Sequence, residues 1–466
     1  MYYDENVYIF GNKKNTINSN KTKEIIEIII KVMSLIVTII IVSLIIYLIL
    51  LQKNVSFLNN NENKIQQIEN KNVWENLDNH ININDSRNIS NEIIEFDESL
   101  RSLDEKEISE FRTLNSKNIF FERDIYKRSD NPDVTVILLV KNQAHCLHKA
   151  LRSIQNQSLK NIEILVLIDC SYDNSTEVIE QYMKDDERIV MITHDTIEGT
   201  MKIRAEGIKK ARGKYITQVD GDDGFAHKDV LNNSLYIANL GNLDIVEFYA
   251  SEYRKGKFKE FNHLHSNIKG IVYQPELKTL HITIKNSDYY RPIRCRNIWG
   301  KLVKKEVFIK AIDNLGIKYT DDYILNFEDT LIRLSLFEVA QSYYLIKKQP
   351  GYYYSRDEKY THYPFNKEKC KIRKNIIEGL DPIKYLNYLM ERFNDNEFAT
   401  KVIYHEILSI KVYEYKAYRK YFIGHYDMIY NIFDKLIQSK YLTEKEKQKL
   451  VDFKSVIKED EEKQKK

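Results

Sequence analysis

The stretch KYITQVDGDDGF, residues 214–225, places the carboxylates of Asp220, Asp222 and Asp223 within one short turn. Like charges that close repel, so something must offset them: water, a cation or a basic neighbour. Asp is a hard oxygen donor suited to Mg2+ or Mn2+. An Asp-x-Asp spacing at a strand end lets one carboxylate bind such an ion while the other acts through water or a ribose hydroxyl. The cation would in turn neutralise a diphosphate, which carries too much charge to sit beside bare carboxylates. Gly221 between them would let a backbone come close. A solvated acidic turn is the plainer alternative, and both readings stand at this point. An EF-hand is excluded, because its ligand spacing and its final Glu are missing.

The elements that would position this turn form an alternating series. VTVILLV (134–140) and EILVLID (163–169) are nearly continuous apolar runs, the pattern of strands buried on both faces, and RIVMITH (188–194) and KYITQVD (214–220) read as a third and a fourth strand. Between them, AHCLHKALRSI (144–154), DNSTEVIEQYMK (173–184) and EGTMKIRAEGIKKAR (198–212) have helical spacing. Asn174 and Glu177 stand at capping-box spacing, and Gly213 is placed as a C′ glycine. The order β-α-β-α-β-α-β predicts an α/β fold with a mostly parallel sheet and helices on both faces. Ligands of such sheets bind beyond the carboxyl ends of the strands. Asp169 and the Asp220–Asp223 turn both lie at such ends, which predicts one shared site.

Composition sets the limits around this domain. The chain has 466 residues, enough for two or three domains, and a net charge of +3, which offers no electrostatic case for nucleic acid. The four cysteines (Cys146, Cys170, Cys295 and Cys370) form no CxxC pair, so a zinc site has no support. Disulfides and four unrelated buried thiols are both open, and the thiols are the plainer and favoured reading. Residues 32–51, VMSLIVTIIIVSLIIYLILL, carry no charge and are about the length that spans a bilayer. Lys13, Lys14, Lys21, Lys23 and Lys31 precede them and only Lys53 closely follows, which puts residues 1–31 in the cytosol as a tail. A polar stretch, 52–130, then reads as a stem with a helix around 97–112 and sequons at Asn54, Asn84 and Asn88. Residues 131–360 would form the α/β domain, and 361–466 a helical C-terminal region with Ile403, Ile407, Ile410 and Val412 at helical spacing.

Several segments together resemble the family-2-type glycosyltransferases of GT-A fold. VTVILLVKN, ALRSIQNQSLKNIEILVLID and GTMKIRAEGIKKARGKYITQVDGDD are similar to the family's opening strand, its SIxNQ run and its ARNxG-to-DSDD run. IWGKLVKKEVF (298–308), FEDTLI (327–332) and GYYYSR (351–356) follow in the family's order. The resemblance implies a Rossmann-type sheet and a nucleotide-sugar donor, a UDP-sugar in most expectations, with a glycan, glycoprotein or glycolipid acceptor. It implies that Asp169 meets the base, with Leu139 and Lys141 on the same donor side, and that Arg204 lies near the donor. Asp220 and Asp222 would bracket Mn2+ or Mg2+ and the sugar-nucleotide. Asp329 would be the general base of an inverting transfer, with Glu328 beside it. Read by themselves, Glu328 and Asp329 are equally acids at a helix N-terminus, favoured by its dipole. His362 lies where some relatives supply a late metal or phosphate ligand, and a surface histidine is the alternative.

The chain departs from the family on the nucleotide side. Leu139-Val140-Lys141 replaces Pro-Val-Tyr, Asp169-Cys170-Ser171-Tyr172 replaces Asp-Asp-Gly-Ser, and Arg204-Ala205 replaces Arg-Asn. Either the donor pocket is rebuilt, with Tyr172 a candidate to stack on the base, or the chain is a catalytically inactive binding or scaffolding relative. The main expectation is a single-pass type II membrane glycosyltransferase of the ER or Golgi with its catalytic domain in the lumen. A processive synthase is disfavoured, since those carry several spans beside the catalytic domain.

Overall fold

The computed structural model describes residues 83–103, 105–116, 126–254, 257–260, 270–274, 276–279, 297–316, 328–355, 371–372, 386–387, 390–391, 397–409 and 425–465. The tail 1–31, the apolar segment 32–51, Asn54, Cys295, His362, Cys370, Ile410 and Val412 lie outside them. Among the described residues no helix is long and apolar enough to cross a membrane.

Two helices come first, α1 (Ile83–Ser99) and α2 (Glu105–Ser116). The predicted series then follows as β1 (Val134–Val140), α3 (Leu147–Gln155), β2 (Ile162–Asp169), α4 (Ser175–Met183), β3 (Ile189–His194), a short β4 (Thr196–Ile197), α5 (Thr200–Lys210) and β5 (Tyr215–Asp220). Beyond it lie β6 (Gly224–Phe225), α6 (Val230–Leu240), β7 (Ile245–Phe248), β8 (Ala250–Arg254), β9 (Lys257–Glu260), β10 (Val272–Tyr273) and β11 (Lys301–Lys304). The remainder comprises α7 (Lys305–Leu315), α8 (Glu328–Val339), β12 (Ser342–Ile346), β13 (Tyr352–Ser355), β14 (Lys371–Ile372), α9 (Glu397–Ser409), α10 (Tyr426–Gln438) and α11 (Glu444–Lys465).

The main sheet runs β10-β12-β7-β11-β5-β1-β2-β3. β5, β1, β2 and β3 pair in parallel, with β1 and β2 buried along nearly their whole length. β11 lies antiparallel between β5 and β7, β12 is parallel to β7, and β10 is antiparallel to β12. The mostly parallel α/β sheet expected from the sequence is therefore present. A second sheet, β6-β13-β8-β9, follows the acidic turn, and β14 pairs with β4.

Alternate strand residues feed two cores. On one face Ile137, Leu167, Ile216, Val303 and Ile245 pack with α5, α7, α8 and the C-terminal helices, through residues such as Met201, Phe308, Leu331, Ile403, Phe433 and Phe453. On the other, Val136, Leu138, Ile164, Val166 and Val219 pack with Leu151 of α3, Ile179 of α4 and Leu235 of α6. Ile93 of α1 belongs to this second core.

That last contact changes the reading of the stem. α1 and α2 come from the stretch read as stem, yet Ile93 is fully buried and Asp97 accepts hydrogen bonds from Tyr344 Oη (3.0 Å), Lys347 N (3.1 Å) and Lys348 N (3.3 Å). The single helix expected around 97–112 is two helices, with the break directly after this anchored carboxylate. Ile108 of α2 packs with Ala226 and Tyr353 beside the second sheet.

Two local expectations are corrected. Asn174 makes no side-chain cap bond; Asp173 Oδ1 instead accepts from Ser175 N (3.1 Å) and Ser175 Oγ (2.6 Å). α5 ends at Lys210 with Ala211 as its cap, and Gly213 is required for close approach instead: a Cβ there would lie 2.3 Å from Thr135 N.

Candidate active site

The acidic turn begins where β5 ends. Gly221 N donates to Leu139 O at 2.9 Å, and a Cβ at Gly221 would lie 3.0 Å from that oxygen, so the glycine admits the close approach its position suggested. The three carboxylates then separate in role. Asp223 is fully buried and accepts from Tyr352 Oη (2.9 Å) and Ser355 N (2.8 Å), pinning β13 to the turn. Burial first, and then the charge of Asp223, raise the Tyr352 hydroxyl pKa well above its ordinary value, so the phenol stays a donor. Asp220 accepts from Arg204 Nη2 at 3.1 Å. Asp222 is buried at the tip of the turn.

Arg204, on α5, is 3% exposed and stands at the centre of the cluster. Besides Asp220, its Nη1 donates to Gln218 Oε1 at 2.5 Å, and its Nε lies 3.5 Å from Asp329 Oδ1 and 3.6 Å from Glu328 Oε1. Burial alone would lower the guanidinium pKa; Asp329, Asp220 and Glu328 outweigh it and raise it. Glu328 and Asp329 open α8, as acids at a helix N-terminus should. Three carboxylates around one guanidinium leave an excess negative charge. The excess falls on Glu328, whose pKa is pushed up to about 8, first by burial and then by Asp329, against the pull of Arg204. Near neutral pH the protonated form of Glu328 is therefore favoured.

Asp169 and Lys141 form a second group. In register, Leu139 of β1 lies between Asp220 of β5 and Leu167 of β2, so the chain reaches Asp169 one step further out on the same face. Asp169 Oδ2 accepts from Lys141 Nζ at 3.2 Å, and Oδ1 accepts from Glu198 N at 2.7 Å. The loops after β1 and β2 are strapped together: Asn142 N donates to Ser171 Oγ (2.9 Å), Tyr172 N to Asn142 Oδ1 (2.9 Å) and Ala144 N to Asp173 Oδ2 (2.9 Å). Asn142 and Cys170 have φ of 54° and 45°, a region that Asn tolerates and Cys enters only under constraint. Cys170 is disulfide-bonded, which corrects the expectation of four unpaired thiols, whereas Cys146 is a buried free thiol. Wide sequence spacing carries no information on which loops the fold brings together.

Sequence reasoning missed the floor beneath these groups. Lys301, on β11, sits directly opposite Glu247 of β7, with Nζ 3.3 Å from Glu247 Oε1 and 2.9 Å from Asn297 O. Tyr343 Oη donates to Glu247 Oε2 at 3.1 Å, and Arg333 Nη2 lies 3.5 Å from the same oxygen. Part of the signal was legible: Glu247 is the one polar residue of the strand IVEF.

The resemblance stated above implies a divalent cation at the turn, and the donors there can be tested for fit. Among the described residues no three His, Cys, Asp or Glu side chains converge as a metal cage. Asp222 and Asp220, the latter already accepting from Arg204, instead suit a hard ion that takes its other oxygens from phosphate and water. The donor set fits Mg2+ or Mn2+ in that sense.

The fold and the site define a class: an α/β protein whose charged groups gather at the carboxyl ends of a mostly parallel sheet. Residues 135–288 match the family model described as Glycosyl transferase family 2. Over 225 residues the chain is 28% identical to the glycosyltransferase GlyA of Streptococcus pneumoniae, covering 47% of this chain and 31% of that protein. It is 29% identical over 236 residues to the uncharacterized glycosyltransferase EpsJ of Bacillus subtilis, covering 50% of this chain and 64% of that protein. A third relative is the GalNAc(5)-diNAcBac-PP-undecaprenol beta-1,3-glucosyltransferase of Campylobacter jejuni, 36% identical over 93 residues, or 20% of this chain and 30% of that protein. The chain thus spans less than two thirds of the length of each. Among solved structures, S. aureus TarS 1-349 in complex with UDP-GlcNAc superposes with a TM-score of 0.45 at 15% identity, covering 66% of this chain and 81% of that one.

Proposed function

We propose that the chain is a glycosyltransferase that moves a hexose or N-acetylhexosamine from a nucleotide-sugar, a UDP-sugar in the first instance, to a hydroxyl of a glycan, glycoprotein or glycolipid. The observation that carries this reading is the gathering of Asp220, Glu328 and Asp329 around the buried Arg204 beside the acidic turn. The matched family segment and the named activities of the relatives support it.

Transfer needs a base for the acceptor proton and a means of stabilising the departing diphosphate. Asp329 is the base: the acceptor oxygen attacks the anomeric carbon, the bond to the diphosphate oxygen breaks, and the acceptor proton passes to the Asp329 carboxylate. Displacement in one step inverts the anomeric centre. Arg204, its Nε 3.5 Å from Asp329 Oδ1, orients that carboxylate. Glu328, protonated, presents a neutral O–H at the same mouth. Asp222 and Asp220 would hold a divalent cation, which when bound supplies charge neutralisation for the diphosphate. Asp169 and Lys141 receive the nucleoside end, two strands away.

Incubating the full chain with a panel of sugar nucleotides, Mn2+ and acceptor glycans should release nucleoside diphosphate from at least one donor, with an inverted product by NMR. Absence of turnover and of hydrolysis across the panel refutes the reading. In the same proposal residues 32–51 anchor the enzyme in an ER or Golgi membrane with the site in the lumen; protease protection of the domain in sealed vesicles tests that placement.

A further inference from the structure

We propose that Gln218 is a positioning residue for Arg204: its side-chain oxygen anchors the guanidinium so that Nη2 serves Asp220 while Nε faces Asp329. The assignment rests on the glycosyl-transfer reading above.

Gln218 occupies a place on β5 that suits an apolar side chain. Side chains two apart on a strand share a face, so Gln218 lies between Ile216 and Asp220, and in register it stands opposite Ile137 of β1. Ile216 and Ile137 both belong to the first core. Gln218 is 1% exposed there, and the two ends of its amide fare differently. Oε1 accepts from Arg204 Nη1 at 2.5 Å, closer than any approach of the guanidinium to Asp220, Asp329 or Glu328. Nε2 is buried and finds no acceptor among the described residues. Turning the amide over would set its NH2 against Arg204, so the arginine fixes its orientation. An apolar side chain of the same length would avoid the buried, unmade hydrogen bond altogether. Core packing therefore does not account for Gln218, and its contact with Arg204 does.

The residue type suits that task. Carboxylates contend for Arg204 from two sides: Asp220 Oδ1 lies 3.1 Å from Nη2, while Asp329 Oδ1 and Glu328 Oε1 lie 3.5 Å and 3.6 Å from Nε. Nε and Nη2 are neighbours on one edge of the guanidinium. A single carboxylate turned to face both would form the two-bond pair that guanidinium favours, and the other side would lose its partner. Anchoring Nη1 opposes that rotation. A neutral acceptor does so without adding a fourth carboxylate to the contest. In the proposed reaction Asp220 stands on the donor side and Asp329 is the base, so a guanidinium that drifts to one of them impairs transfer.

The test is a double-mutant cycle on the full chain: wild type, Gln218→Met, Arg204→Lys and the two combined. kcat and KM are measured on the best donor of the panel with Mn2+, and guanidinium chloride unfolding midpoints alongside. Gln218→Met should lower kcat/KM by about 10- to 100-fold, the size of a misplacement of about 1 Å. Its midpoint should stay near that of the wild type, because the lost hydrogen bond is offset by removal of the unpaired amide. In the Arg204→Lys background no planar fork remains to be held, so there Gln218→Met should change kcat/KM by less than about threefold. An undiminished kcat/KM in Gln218→Met, or a loss that repeats in full in the Arg204→Lys background, overturns the assignment and leaves the glycosyl-transfer reading intact. Absence of turnover by the wild type on every donor removes that reading, and this assignment with it. Should Gln218→Met fail to fold by circular dichroism, Gln218→Leu takes its place. Should Arg204→Lys turn over no donor, the same cycle is scored on the affinity for UDP with Mn2+ by calorimetry.

Discussion

Replacing Glu328 by Gln tests the charge balance at the centre of the site. Glu328 has a pKa of about 8 in the folded chain against an ordinary 4.5, because it is buried beside Asp329. A group whose pKa rises on folding stabilises the fold fully below its unfolded pKa, and that contribution is lost as pH rises through its folded pKa. The window is therefore about pH 4.5 to 8. A displacement of that size corresponds to roughly 5 kcal/mol at 1.36 kcal/mol per pKa unit, a large part of the 5–15 kcal/mol that holds a typical domain together. Gln has nearly the same shape and carries no ionisable proton. Guanidinium chloride unfolding midpoints should be followed for both proteins between pH 5 and 9. At pH 5 the two should agree within about 1 kcal/mol, since a protonated Glu and a Gln are both neutral. By pH 9 the variant should be the more stable by several kcal/mol. The difference between the curves reports Glu328 together with the charges it feels, Asp329 first among them. Parallel curves from pH 6 to 9, or a variant less stable at pH 9, would refute the reasoning.

Three further outcomes follow from the same geometry. Asp329→Asn should lower transfer by about 100- to 10,000-fold while donor affinity stays near the wild-type value, because it removes the proton acceptor and keeps the shape; steady-state kinetics and calorimetry separate the two effects. UDP with Mn2+ should raise the melting temperature of the wild type, a stabilisation worth about 2.7 kcal/mol at a ligand concentration 100 times Kd, and Asp222→Ala should abolish that rise; an undiminished shift would place the cation elsewhere. Asp97→Ala should cost about 2–4 kcal/mol in denaturant unfolding, since it strands the Tyr344 hydroxyl and two backbone N–H groups. An unchanged midpoint there would mean that α1 is dispensable to the domain.

Much of this was legible because it is written in local patterns. VTVILLV and EILVLID could only be strands buried on both faces, and their parallel pairing follows from the helices between them. Asp169, Asp220 and Asp222 were placed by topology, at strand carboxyl ends, before any coordinate. The misses came from partners distant in the chain. α1 carries apolar residues at Ile89, Ile93 and Phe96, one thin stripe among Asn and Glu, and that stripe matters only once Tyr344 of β12 and the N–H groups of Lys347 and Lys348 just after it reach Asp97 some 250 positions later. Similarly, the pairing of Cys170 and the burial of Lys301 against Glu247 depend on long-range closure that no window of sequence contains. Asn174 at capping-box spacing misled because its neighbour Asp173 offers the same chemistry one position earlier.

The crowding of Asp220, Asp222 and Asp223 resolves by division of labour. Asp223 is offset by hydrogen bonds from Tyr352 and Ser355, and Asp220 by the guanidinium of Arg204. Repulsion within the turn is thereby reduced without a cation, so the turn can be formed in advance of any ligand. Arg204 is also shared with Glu328 and Asp329, so in the proposed mechanism one guanidinium serves both the donor side and the base. Drawing Asp220 towards a bound cation would loosen its hold on Arg204 and leave more of that positive charge to Asp329. Donor binding and base strength are then coupled through one buried side chain, and Arg204→Lys, which offers a single point charge in place of a fork, should weaken that coupling more than it weakens either binding or folding alone.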